Sequence, residues 1–260
     1  MIPKVIHYCW FGHGKKNHLI RKCMKTWHEV MPDYMIKEWN EENFDIHINS
    51  YVEEAYKAKK FGYVSDFVRL YALYNEGGIY MDTDVEVLKR LDKFLSLEAF
   101  SSRESDCGTL TATMGSVKGG QWVKDLMDDY SGRKFIFPDG SYNWKTNVEY
   151  TDDLMRRKFG VKKENTKIEI PGYVTIYPME WFCPKSWGTG CLNLSENTYT
   201  IHHFTASYDP PWLTQKKRAI VWTRYHLGVW PTRVLNLVWN NPIKIPMVLL
   251  KGIKRLIVKD

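Results

Sequence analysis

Most of the usual marks of a secreted or membrane-spanning protein are missing from this 260-residue chain. Its five cysteines, Cys9, Cys23, Cys107, Cys183 and Cys191, are odd in number, and no two form a Cys-x-x-Cys pair. That pattern argues against a disulfide framework or a zinc site and fits a reduced, cytoplasmic compartment. No apolar run reaches the roughly 18 residues that crossing a bilayer requires. The opening MIPKVIHYCWFG is too short an apolar stretch for a signal peptide and lacks a cleavage pattern. There is no internal repeat or low-complexity segment, which excludes a solenoid or array. Acids are almost absent from one region. Beyond Pro211 stand ten Lys and Arg against the single acid Asp260, a net charge of +9. The remaining body holds 27 basic and 29 acidic residues, net −2, so the overall charge of +7 belongs to a tail.

What is abundant is aromatic. Eleven Trp and sixteen Tyr are many for this length, and flat amphipathic rings suit sugar faces and base stacking as well as cores. The length allows one large domain, or a domain with an appendage. IPKVIHYCW reads as a strand ending in the glycine-punctuated loop FGHG. Residues 17 to 30 carry Leu19, Ile20, Cys23, Met24 and Trp27 at helical spacing. Pro32-Asp33 makes a turn before a second strand, YMIKEW. A polar helix over 50 to 60 is expected to be capped by Ser50. A further helix, with Ser65 as its N-cap, runs to Asn75. Gly77-Gly78 stops it, because glycine tolerates positive φ. The strand IYMDTDV follows at once. This alternation is of the nucleotide-binding α/β kind, in which ligands bind outside the carboxyl ends of strands. Residues 101 to 200 read as short strands and loops without a firm pattern.

Asp82 and Asp84 lie at such a strand end. In an extended segment, residues two apart face the same way. Two carboxylates so placed repel unless a cation sits between them or one takes up a proton. Hard oxygen ligands suit Mg2+ or Mn2+, ions that keep positions open for phosphates. The plainer alternative, a solvated turn bearing two acids, is common for Asp-x-Asp alone.

The surrounding residues narrow the choice. IPKVIHYCWFG followed by FGYVSDFVRLYALYNEGGIYMDTDVEVLKRLD resembles the DXD-containing sugar-binding region of glycosyltransferase family 32. That family includes bacterial capsular and O-antigen polysaccharide transferases and is related to the catalytic domains of clostridial glucosylating toxins. The resemblance covers residues 1 to 100, and more loosely YTIHHFTASYDP. It implies a GT-A fold, Rossmann-like with a mixed sheet flanked by helices, over residues 1–210. It also implies sugar transfer from a nucleotide-sugar, UDP before GDP, with retention of anomeric configuration. Asp84 would ligate Mn2+ (or Mg2+) directly, and Asp82 would meet ion, ribose and sugar. Asp66 and Arg69, one helical turn apart, would hold the sugar hydroxyls, with Ser65 and Tyr80 lining the donor site. Trp10 would stack on the base. Of His202 and His203, adjacent in a strand and so facing opposite ways, His203 is favoured as the third metal ligand. Ser207 and Tyr208 would approach the leaving phosphate, Tyr208 standing where relatives carry Trp. The departing phosphate itself would serve as base in a front-face reaction.

The tail, residues 211–260, interleaves Trp222, Trp230 and Trp239 with Arg224, Arg233 and Lys244. Basic helices with Trp and Leu on one side lie in membrane interfaces, which favours an anionic membrane surface over simple packing on the body. Nucleic acid is not expected, since no nucleic-acid motif accompanies the charge. The expectation is a peripheral enzyme on the inner face of the cell membrane. It would add sugar to a lipid-linked saccharide acceptor in bacterial surface polysaccharide synthesis. A haloacid-dehalogenase-like phosphohydrolase also begins from Asp-x-Asp, but Glu86 stands where Thr or Val is required. A non-catalytic nucleotide-sugar binder is the remaining alternative.

Overall fold

A computed structural model describes residues 1–105, 108–109, 111–186, 190–205 and 223. The chain divides into two compact units, one of Met1–Lys185 with Leu192–Tyr208 and the other of Ser186–Cys191 with Asp209–Asp260. Apart from Thr223, the basic tail lies outside the described residues.

The first unit opens with strand β1 (Val5–Cys9), helix α1 (His18–Val30) and strand β2 (Met35–Trp39). Helices α2 (Ser50–Lys57) and α3 (Phe61–Glu76) lead to strands β3 (Gly78–Met81) and β4 (Val85–Val87). Strands β5 (Ala99–Ser105), β6 (Gly108–Thr109) and β7 (Thr113–Ser116) follow, then helices α4 (Gln121–Asp128) and α5 (Asn147–Phe159). Strands β8 (Ile168–Ile170) and β9 (Val174–Tyr177), the short helix α6 (Met179–Phe182) and strand β10 (Thr200–His202) complete it. The large sheet runs β2-β1-β3-β7-β5-β9-β8, with β6 attached to β5, and β4 and β10 form a separate ribbon. Its pairs are parallel from β2 through β3 and between β5 and β9, and antiparallel around β7 and β8. The expected α/β class, a mixed sheet flanked by helices, is what the chain forms.

Side-chain alternation along β3 divides the core into two apolar layers. Ile79 and Met81 face the layer of Trp27, Phe94 and Phe182, while Tyr80 faces the layer of α3 and α4. Helix α1 begins where Asn17 Oδ1 accepts from the Ile20 N–H at 3.0 Å, and it buries Ile20, Cys23 and Trp27. Two expected caps are displaced. Asn49, not Ser50, caps α2, which ends at Lys57 before Lys59 turns left-handed at φ 57. Helix α3 starts at Phe61, a full turn before Ser65, with no side-chain cap. Packing overrides the capping signal here: the Phe61 ring lies so close to Gly12 that a Cβ there would fall 2.2 Å from it. Ser65, now inside the helix, returns its hydroxyl to the Phe61 carbonyl at 3.0 Å.

The Gly77-Gly78 stop is as expected, with φ of 71° and 115°. At Gly78 a Cβ would lie 2.6 Å from the Val5 carbonyl, so β1 and β3 approach more closely than any side chain allows. His7 ties the same junction. Its Nδ1 accepts from the Trp39 indole at 3.1 Å, and since that indole only donates, its Nε2–H donates to Gly77 O at 2.8 Å. Both nitrogens are thus committed in the neutral ring, and burial pulls the pKa below the ordinary 6.5. An unfolded chain therefore binds a proton that the folded one refuses, and His7 lowers stability as pH falls below about 6.5. Denaturant melts between pH 7.5 and 5.5 are expected to show wild type losing stability relative to His7→Gln as the pH falls.

Candidate active site

The apolar run of β3 ends at Met81, and Asp82, Thr83 and Asp84 form a turn rather than more strand. The Asp82 N–H still bonds to Ala112 O at 2.9 Å, and the Val85 N–H closes the turn on Asp82 O at 3.0 Å. The expectation that both acids share one face of an extended strand is corrected accordingly; the turn brings them together instead. Strand β4 then pairs antiparallel with β10, placing Val85 opposite His202. That register sets the His202 ring beside Asp84. The Trp27 indole, buried, fixes the ribbon by donating to Val85 O at 2.7 Å.

Each carboxylate is held by one oxygen and presents the other. Asp82 Oδ1 accepts from the Tyr80 hydroxyl at 2.8 Å and lies 3.4 Å from Arg69 Nη2. Asp84 Oδ2 accepts from the Thr205 N–H and hydroxyl at 2.7 and 2.9 Å. The remaining oxygens, Asp82 Oδ2 and Asp84 Oδ1, lie 4.0 and 3.4 Å from His202 Nε2. One atom from each of these three residues falls within 4.8 Å of the others. Two carboxylate oxygens and an imidazole nitrogen at this spacing suit a divalent ion of the Mn2+ or Mg2+ kind.

His203, the favoured ligand, turns the other way. Its Nε2 meets Glu86 Oε2 at 2.8 Å, and its backbone N–H donates to Asp84 O at 3.1 Å. Adjacent histidines do face opposite sides, but the one aimed at the acids is His202. Burial disfavours charge on Asp84 and on His202 alike, yet each stabilises the other's ion. The Asp84 carboxyl is held well below its ordinary range, and the His202 ring is raised well above its own.

Beneath the turn lies the Asp66–Arg69 pair, both almost fully buried, with Arg69 Nη2 2.9 Å from Asp66 Oδ1. Arg69 also donates to Thr111 O at 2.7 Å and to Ser65 O at 3.2 Å, and its guanidinium stacks 4.6 Å from the Tyr80 ring centre. Trp10, at the end of β1, is half-buried. Its indole donates to Gly14 O at 2.7 Å, and Lys16 Nζ stands 4.9 Å from its ring. It borders an open cleft of about 590 Å³ that Lys15, Arg21, Asn40 and Glu41 also line. Ser207 and Tyr208 lie outside the described residues. Three residues at the site went unread in the sequence. Thr205 supplies two donors to Asp84, and Tyr56 with the Gly12 N–H holds Glu41 in the cleft. Glu104, at the end of β5, is within electrostatic reach of His202, Asp82 and Arg69, and burial pushes its carboxyl up.

Residues 17–101 match the family described as "Glycosyltransferase sugar-binding region containing DXD motif". Over 129 residues the chain is 31% identical to inositol phosphoceramide mannosyltransferase 3 of Schizosaccharomyces pombe, covering 45% of this chain and 34% of that protein. It thus spans about a third of the length of that relative. Among solved structures, the PaToxG glycosyltransferase aligns at a TM-score of 0.47 and 18% identity, over 61% of this chain and 70% of that one. The apo-form glycosyltransferase GlyE of Streptococcus pneumoniae TIGR4 aligns at 0.47 and 14% identity, over 92% and 63%. Asp82-Thr83-Asp84 lies within the residues that match this DXD-containing region.

Of the two histidines, His202 is the one whose Nε2 faces both acids. Mn2+ titration by calorimetry is expected to show His202→Ala weakening affinity by about tenfold or more. His203→Ala should stay within about threefold of wild type.

Proposed function

We propose that this chain is a metal-dependent, retaining glycosyltransferase acting on a nucleoside-diphosphate sugar. The observation that supports it best is the pair of presented carboxylate oxygens meeting His202 at the carboxyl end of β3, directly above the buried Asp66–Arg69 pair. A nucleotide placed along this end has a ring to stack on at Trp10, acids and imidazole for its ion, and Asp66 with Arg69 for its sugar. Asp82, Asp84 and His202 would hold Mn2+ or Mg2+, whose contribution is to neutralise the diphosphate as it leaves. The chain's own residues orient. Arg69 and Tyr80 keep Asp82 in place, Thr205 keeps Asp84 in place, and Asp66 accepts hydrogen bonds from sugar hydroxyls. Proximity and fixed dipoles of this sort account for large rate enhancements without covalent chemistry, in line with a front-face route in which the departing phosphate takes the acceptor proton.

The donor is a UDP- or GDP-hexose; resemblance to the toxin-type transferases favours UDP, and the name of the fission-yeast relative favours a mannosyl donor. The acceptor is a lipid-linked saccharide, a reading supported by the lipid substrate in that relative's name and by the basic, Trp-rich tail. That tail would bind the anionic inner leaflet of the membrane, the surface at which bacterial surface polysaccharides are assembled.

Asp84→Asn is expected to lower donor turnover with Mn2+ by at least about a hundredfold while leaving the circular dichroism spectrum and melting cooperativity unchanged. An active variant contradicts the site. In flotation with anionic liposomes, the full chain should rise with the vesicles at low salt, and a chain ending at Tyr208 should not.

A further inference from the structure

Beside the acidic site, the segment before α5 carries an aromatic group that the sugar-donor reading does not use. Trp144 is 51% exposed and Phe137 43% exposed. Isolated exposed apolar side chains are ordinary, but this indole is fixed from behind. Tyr142 meets it edge-on at 5.4 Å, Phe135 at 6.5 Å and Tyr63 at 6.1 Å, and the Tyr63 hydroxyl donates to its carbonyl at 3.4 Å. Lys60 Nζ stands over the ring, 5.1 Å from its centre.

Its place relative to the site follows from two connections. Tyr63 precedes Asp66 on α3 by three residues, about 4.5 Å of helical rise. Asn147, three residues beyond Trp144, borders a small cavity shared with Asp66, Arg69 and Tyr150. Three residues of chain reach at most roughly 10 Å, so Trp144 stands at the Asn147 side of that cavity, and its ring touches the Tyr63 ring one helical turn before Asp66.

We propose that Trp144 is a stacking platform for the acceptor's sugar ring, which would take the ring face away from Lys60. Pyranose C–H faces are apolar and favour an aromatic face, and an indole anchored in advance forfeits little rotamer entropy on binding. The inference rests on the sugar-transfer reading, since it takes Asp66 and Arg69 as the donor-sugar subsite.

Saturation-transfer difference NMR on the full chain tests it, with Mn2+, either UDP or GDP, and the methyl glycosides of glucose, galactose, mannose and N-acetylglucosamine as probes. The expected result is a signal from at least one glycoside that falls about fivefold or more in Trp144→Ala and keeps at least half its size in Trp144→Phe. The nucleotide signal should be equal in all three proteins. A normal nucleotide signal with no glycoside signal, or with one indifferent to Trp144, overturns this inference alone. Parallel loss of nucleotide and glycoside signals in Trp144→Ala overturns it as well, by making the residue merely structural. If neither nucleotide binds the wild-type chain, the sugar-transfer reading falls and this inference with it.

Discussion

Two carboxylates two residues apart, with an imidazole 3.4 Å from one of them, are the constraint around which this end of the molecule is built. Like charges at such range are unfavourable unless something between them is positive. The chain answers by tying one oxygen of each acid to its own donors, Tyr80 and Arg69 for Asp82 and Thr205 for Asp84. The opposite oxygens cannot turn away, and they converge on His202. Asp84 in turn holds the His202 ring well above its ordinary pKa, so the cluster favours a positive charge between the acids. On the proposed reading, a divalent ion would take the place between these atoms and hold the donor's diphosphate.

The rest of the fold serves that arrangement. β3 is buried on both faces, so its direction is set by the whole core, and its close approach to β1 needs the missing side chain of Gly78. α3, packed on the same strand, carries Asp66 and Arg69 under the turn. The β4–β10 ribbon brings a residue more than a hundred positions away into the cluster. Sheet, helix and ribbon each contribute one part, and no two of them make the site alone.

How much of this can be read from the residues depends on the range of the interaction. The opening strand, the helix over residues 17 to 30, the glycine stop and the acids at a strand end are local patterns and were legible. The class of fold followed from their alternation. Ser65 misled because its capping chemistry is real, yet the helix extends a turn further back to Phe61, whose ring packs against Gly12. The break in β3 after Met81 was hidden because Asp-Thr-Asp suits strand or turn equally until Val85 closes on Asp82. Opposed facing of His202 and His203 could be deduced from strand geometry. Which one faces the acids could not, since a register between distant strands decides it. Glu104 and Thr205 had no signal of their own, because their significance lies wholly in what they stand beside.

The central claim is that one divalent ion sits between Asp82, Asp84 and His202 and anchors the donor's diphosphate. Crystals grown with Mn2+ and UDP, measured for manganese anomalous scattering, test it most directly. The account predicts a single strong peak bounded by Asp82 Oδ2, Asp84 Oδ1 and His202 Nε2, with both phosphates against it. A peak on Glu86 and His203, or a nucleotide bound with no peak at the acidic turn, would contradict it.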